Sequence, residues 1–182
     1  DRGHLATDLA TPVAMAVVSS ASAGLRAASR ATIVQLRAPG LSTKALEKEA
    51  VVLVGSASVP VVVSSRCDVA LAARAAGVNL PEGDISIADA RALLGRSLVG
   101  RSVHSIEAAQ TAEHEGADYV IFGPVWLTAS HPGAKPAGLD ALAELVRSVK
   151  IPVLAIGGVT EALVDEILAV GAAGYAAIRL FE

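Results

Sequence analysis

The stretch Ile151-Pro152-Val153-Leu154-Ala155-Ile156-Gly157-Gly158-Val159-Thr160 decides the fold. A strand-length apolar run meets two glycines, and residues 161–170 then carry the spacing of a helix. A second short apolar run, residues 174–180, follows. Strand, glycine turn, helix and strand in that order make a β-α-β unit. Strands that are nearly continuous in apolar residues are the kind a parallel sheet buries on both faces.

Read outward, the unit recurs along the whole chain. Strands are expected at residues 4–8, 32–37, 59–64, 77–80, 98–102, 118–125, 151–157 and 174–180. Helices are expected at about 12–30, 43–56, 68–76, 87–94, 106–115, 139–149 and 161–170. Thr11-Pro12 puts proline at a first helical position, and Ser42, Ser86, Ser105 and Thr160 stand where N-caps belong. Gly77, Gly95, Gly116 and Gly171 sit just past helix ends. Eight near-regular units favour closure over a doubly wound open sheet. The expectation is an α/β fold, a (β/α)8 TIM barrel of eight parallel strands in one domain over residues 1–182. The chain ends at Glu182 on the eighth strand, so the last helix is expected to be missing or disordered.

Composition narrows the function. With 182 residues, 53% hydrophobic and 18% charged, the chain fills a large core, which excludes disorder. The net charge is −3, Lys and Arg are scattered, and aromatics are 3%, so no nucleic-acid partner is expected. No run approaches the ~20 apolar residues of a membrane span, so no membrane partner is expected either. Cys67 is the single cysteine, and no paired histidines stand near it, so no metal site is read here. A cytoplasmic location is the default; because the chain starts at Asp1 rather than Met, a missing targeting segment carries little weight.

In this fold, chemistry sits at the carboxyl ends of the strands. After the second strand, Gln35 and Arg37 share one face by alternation, and the planar fork of Arg37 suits a carboxylate or phosphate. After the fifth, Ser102 and His104 share a face, and an imidazole titrates near neutral pH. The loop after the sixth strand is the longest and offers Thr128, Ser130, His131 and Lys135. After the seventh, Gly157 and Gly158 lead into a helix whose N–H groups can hold an anion, with help from Arg179 after the eighth.

Taken in order, Gln35-Leu-Arg37, Gly100-Arg-Ser-Val-His-Ser105, Gly116-Ala-Asp-Tyr-Val120, Gly123-Pro-Val125, Thr128-x-Ser130 and Ala155-Ile-Gly-Gly158 resemble the thiamin phosphate synthase/TenI superfamily across essentially the whole chain. The resemblance implies thiamin biosynthesis and a small-molecule thiazole phosphate as substrate; a homo-oligomer is left open. It is closer to the TenI branch in Gly100–Ser105 and Asn79-Leu-Pro81. Departures from the synthases stand at Pro39 for a lysine, at Ser64-Ser65-Arg66 for Asn-Asp-Arg, and at His131 for a lysine. Asp84 lies near the place of their second magnesium carboxylate. The tautomerases' histidine is replaced by Pro124.

The resulting expectation is a TenI-like protein that binds a thiazole phosphate carboxylate, with an isomerase activity resting on His131 or, after it, His104. Gln35, Arg37, Ser64, Ser102, Thr128 and Ser130 are expected to bind substrate, and Gly157, Gly158 and Arg179 phosphate. No cofactor is expected, magnesium entering only with the alternative, a divergent synthase (a transferase). A non-catalytic phosphate-binding or regulatory protein is the third reading.

Overall fold

The computed structural model describes residues 11–129 and 132–182. Its strands are β1 (Val13–Val18), β2 (Ile33–Leu36), β3 (Val61–Ser64), β4 (Gly77–Leu80), β5 (Leu98–Val103), β6 (Tyr119–Phe122), β7 (Val153–Ile156) and β8 (Gly174–Ala177). The helices are α1 (Ala21–Ala27), α2 (Thr43–Ser56), α3 (Cys67–Ala73), α4 (Ile87–Leu94), α5 (Ile106–Glu115), α6 (Leu139–Ser148) and α7 (Val164–Ala169). All eight strands pair in parallel and in chain order, and β8 closes on β1, so this is a (β/α)8 barrel.

The first unit corrects the sequence reading. Residues 13–18 form β1, not the start of a helix from Pro12; Met15 pairs with Ile33 on one side and Val13 with Gly174 on the other. All six residues are buried, so a helix here would have had no polar face for solvent. Val13, Met15 and Val17 point into the barrel, and Ala14, Ala16 and Val18 meet the helical layer. The strand expected at residues 4–8 lies outside the described residues. Ser20 caps the short α1, accepting from Ala23 N–H.

Most local signals survive. Ser42, Ser86 and Ser105 each accept the N–H three residues on. Thr160 makes no side-chain cap; it opens a 3-10 turn, Glu161–Leu163, and α7 starts only at Val164. Gly77 is not a helix end but the first residue of β4, where a Cβ would stand 1.9 Å from Leu98 O. β8 stops at Ala177, and residues 179–181 make a 3-10 turn that stacks Phe181 on Tyr175, with ring centroids 6.3 Å apart.

The barrel interior is layered. Met15, Ile33, Leu98, Tyr119 and Leu154 fill it toward the amino ends of the strands. The fully buried Tyr119 ring lies over Gly100, where a Cβ would be 2.1 Å from Cζ, so only glycine fits opposite it. Below that ring, a cavity of about 30 Å³ opens among Val13, Met15, Tyr119 and Leu154. At the amino end, Arg91 bonds Asp118 at 2.7 Å, and the same carboxylate oxygen accepts Val99 N–H. No helix of the described residues is long and apolar enough to cross a membrane.

Candidate functional site

The carboxyl mouth holds a cavity of about 270 Å³. Gln35, Arg37, Ser64, Ser102, His104, Gly157, Gly158 and Arg179, drawn from five different strand ends, all line it. Thr128 is not among the lining residues, and Ser130 and His131 lie outside the described residues. Asn79 and Glu82 also line the cavity, although sequence reasoning did not place them in the site.

The cavity's inner wall is polar where the strands leave the apolar core. Gln35 is 4% exposed and Asn79 2%. Asn79 Nδ2 donates to Ser102 Oγ at 2.9 Å, yet Asn79 Oδ1 and Gln35 Oε1 have no partner among the described residues. Buried polar atoms are nearly always satisfied, so two orphaned acceptors on residues that line one cavity leave its inner wall open to an N–H or O–H donor, from water or a ligand. The signal for Asn79 was a lone amide in the four-residue apolar strand β4.

Charge divides around the rim. Arg37 follows β2 and Arg179 follows β8, on either side of β1, and both are exposed with no ion pair among the described residues. Glu82 and Asp84 follow β4 on the far side. Between β7 and α7, Gly157 and Gly158 adopt φ of 95° and 70°, in the left-handed region. Cβ atoms there would stand 2.6 Å from the Pro124 backbone and from Leu127 O. Among the described residues neither glycine's N–H is bonded. Because α7 begins only at Val164, these are loop donors and not a helix terminus.

His104 is fixed at two points. Its Nδ1 lies 2.6 Å from Gly123 O and its backbone N–H donates to Glu82 Oε2 at 2.8 Å. A carbonyl only accepts, so Nδ1 carries the proton and, in the neutral ring, Nε2 is the acceptor. Ser65, at φ 69°, donates its hydroxyl to Asp84 Oδ2. Cys67 opens α3 and is buried; burial pushes its thiol up, with the charges of Asp84 and Asp68 adding, which favours the thiol over the thiolate. Among the described residues, no group of three His, Cys, Asp or Glu converges to hold a metal by itself.

The chain is similar to proteins of known activity. The family described as thiamine monophosphate synthase matches residues 10–181. The thiamine-phosphate synthase of Chloroflexus aurantiacus is 40% identical over 152 residues, which are 81% of this chain and 70% of that one. That of Methanoculleus marisnigri is 39% identical over 182 residues, 97% of this chain and 80% of its own. Among solved structures, the thiamine phosphate pyrophosphorylase from Pyrococcus furiosus has a TM-score of 0.83 at 32% identity, covering 92% of this chain and 86% of that one. FabK from Thermotoga maritima, at TM-score 0.79 and 18% identity, shares the fold alone.

Proposed function

The chain belongs to the thiamine monophosphate synthase family, and on that premise we propose that it makes thiamin phosphate by joining a thiazole phosphate to a hydroxymethylpyrimidine pyrophosphate. The observation that carries this reading is the donor set of the mouth: anion seats and amide acceptors in place, and no acid–base group at position 124, where Pro124 lines the cavity. The joining step suits such a site. The lone pair of the thiazole nitrogen bonds to the exocyclic methylene carbon of the pyrimidine as that carbon's bond to the pyrophosphate oxygen breaks. The electron pair leaves with pyrophosphate, the ring nitrogen keeps the positive charge, and no proton moves. Catalysis is then positioning and electrostatics.

The roles follow from the placement of each group. The loop N–H groups of Gly157 and Gly158, with Arg179 at the next strand end, seat the thiazole's phosphate. Arg37 faces the leaving pyrophosphate, its fork taking two oxygens. Gln35 Oε1 and Asn79 Oδ1 accept from the pyrimidine's exocyclic amine, while Ser64 and Ser102 offer hydroxyls beside them. A bound magnesium ion supplies charge neutralisation for a pyrophosphate leaving group. The residues present fit one: Asp84 and the Ser65 hydroxyl converge across the β3 and β4 loops, and this ion is held through one or two carboxylates plus substrate phosphates.

Proton transfer on the thiazole, the TenI-like expectation, has less behind it. Of the two histidines weighed for it, His104 lines the cavity and His131 lies outside the described residues. The deciding experiment incubates the purified chain with both precursors and Mg²⁺ and follows thiamin phosphate by chromatography. Turnover that EDTA abolishes is expected. Binding of both precursors with no product, together with isomerisation of the thiazole phosphate carboxylate, overturns the proposal in favour of the tautomerase.

A further inference from the structure

We propose that Arg101 is a positioning residue, whose buried guanidinium fixes from outside the barrel the loop that carries Glu82 and Asp84 to the mouth. What that loop does rests on the synthase reading; how it is held does not.

Along β5, Leu98 belongs to the inner cluster and Ser102 lines the cavity, so the intervening Arg101 points away from the barrel interior. It is 6% exposed there, and no carboxylate is bonded to it among the described residues. Its two terminal nitrogens donate to Pro81 O and Ile85 O, each at 2.6 Å. Those carbonyls are the two ends of the segment between β4 and Ser86, the N-cap of α4. A charge that cannot be lost is thus buried against neutral backbone, an arrangement that is costly unless its hydrogen bonds are well made. A planar fork meets two acceptors at once, and an ammonium does not.

The segment needs such an anchor. Residues 81–83 and 85 are exposed, and Gly83 has open space around it. Within it, Asp84 N–H donates to Pro81 O at 3.1 Å and Asp84 Oδ1 accepts Ile85 N–H at 2.8 Å, so the turn is tight once its ends are held. Only then do its carboxylates reach their places: Glu82 Oε2 on the His104 N–H, and Asp84 Oδ2 on the Ser65 hydroxyl. One side chain that touches no ligand therefore sets two acidic groups, one lining the cavity and one at its rim beside Ser64 and Ser65.

The test compares Arg101→Lys and Arg101→Met with the unaltered chain by hydrogen exchange, Mn²⁺ binding by electron paramagnetic resonance in the presence of inorganic pyrophosphate, inorganic phosphate binding by calorimetry, and steady-state kinetics. Amide exchange across residues 82–86 should rise at least ~10-fold in both variants, with β5 and β6 still protected. The Mn²⁺ dissociation constant should rise at least ~10-fold and kcat should fall more than KM changes, while phosphate affinity stays within about twofold. Arg101→Lys serves as the reporter where Arg101→Met does not fold. Unchanged exchange in the segment overturns the proposal, as does a parallel loss of Mn²⁺ affinity, phosphate affinity and strand protection, which would mean general destabilisation. If the unaltered chain makes no thiamin phosphate, the synthase reading fails, and the exchange measurement still decides the role of Arg101.

Discussion

Replacing Asn79 by leucine should move stability and ligand affinity in opposite directions. In the unliganded protein Asn79 makes one side-chain hydrogen bond, from Nδ2 to Ser102 Oγ, and leaves Oδ1 buried and unpartnered. Loss of the bond costs about 0.5–1.5 kcal/mol, and removal of an orphaned buried acceptor returns about 1–3 kcal/mol. Leucine is close to asparagine in length and Ser102 is half-buried with access to solvent, so little strain is added. The net change centres near 1 kcal/mol in favour of the variant. Affinity for the pyrimidine pyrophosphate should meanwhile fall at least tenfold, about 1.4 kcal/mol, because the acceptor that the ligand satisfies is gone. Urea unfolding at constant m-value reads the first quantity and titration calorimetry the second. A variant destabilised by more than about 1 kcal/mol with unaltered affinity would show that Asn79 serves the barrel and not the ligand.

Three further outcomes follow from named contacts. Gly100→Ala drives a Cβ to 2.1 Å from Tyr119 Cζ; overpacking of about 3 kcal/mol at about 2–4 °C per kcal/mol lowers the melting temperature by roughly 6–12 °C, and Tyr119→Leu in the same chain should recover part of it. A calorimetric shift under about 2 °C contradicts that packing. Arg179→Met should weaken inorganic phosphate binding about tenfold at low ionic strength, with the gap closing as salt rises; equal affinity at low salt removes Arg179 from the anion seat. Because burial and the nearby carboxylates hold the Cys67 thiol above its ordinary range, its thiolate fraction at pH 8 is small. Iodoacetamide should label it at least ~10-fold faster in urea than in the folded protein, and equal rates would refute that account.

What the sequence disclosed divides along the range of the cause. The serine caps of α2, α4 and α5 are local, decided within four residues, and were legible. So was the inward pairing of Gln35 with Arg37 and of Ser102 with His104, which needs only the two-residue period of a strand. Residues 13–18 were misread because Ala14, Met15 and Ala16 favour helix as single residues. What makes them a strand is β2 on one side and β8 on the other, partners about 20 and 160 residues away. Arg101 was passed over for the same reason: the carbonyls that explain it belong to a loop 16 and 20 residues earlier. Asn79 was noticed only as part of a resemblance, since its burial emerges when the barrel closes.

The ring of Tyr119 lines the small void near the amino ends, and the inward side chains of Val17, Ile121, Ile156 and Ala176 line the wide one at the mouth. Together they make a layered plug. Shortening Tyr119 alone would enlarge the lower void; the mouth would deepen along the barrel axis only with Ile121 or Ile156 shortened as well, and no rim residue need be touched. Depth is therefore an evolvable property held by a few apolar side chains of β6 and β7. Charge is held elsewhere, in the loops, and the two can drift independently. A library built at Tyr119, Ile121 and Ile156 explores depth, while one built on the rim explores charge.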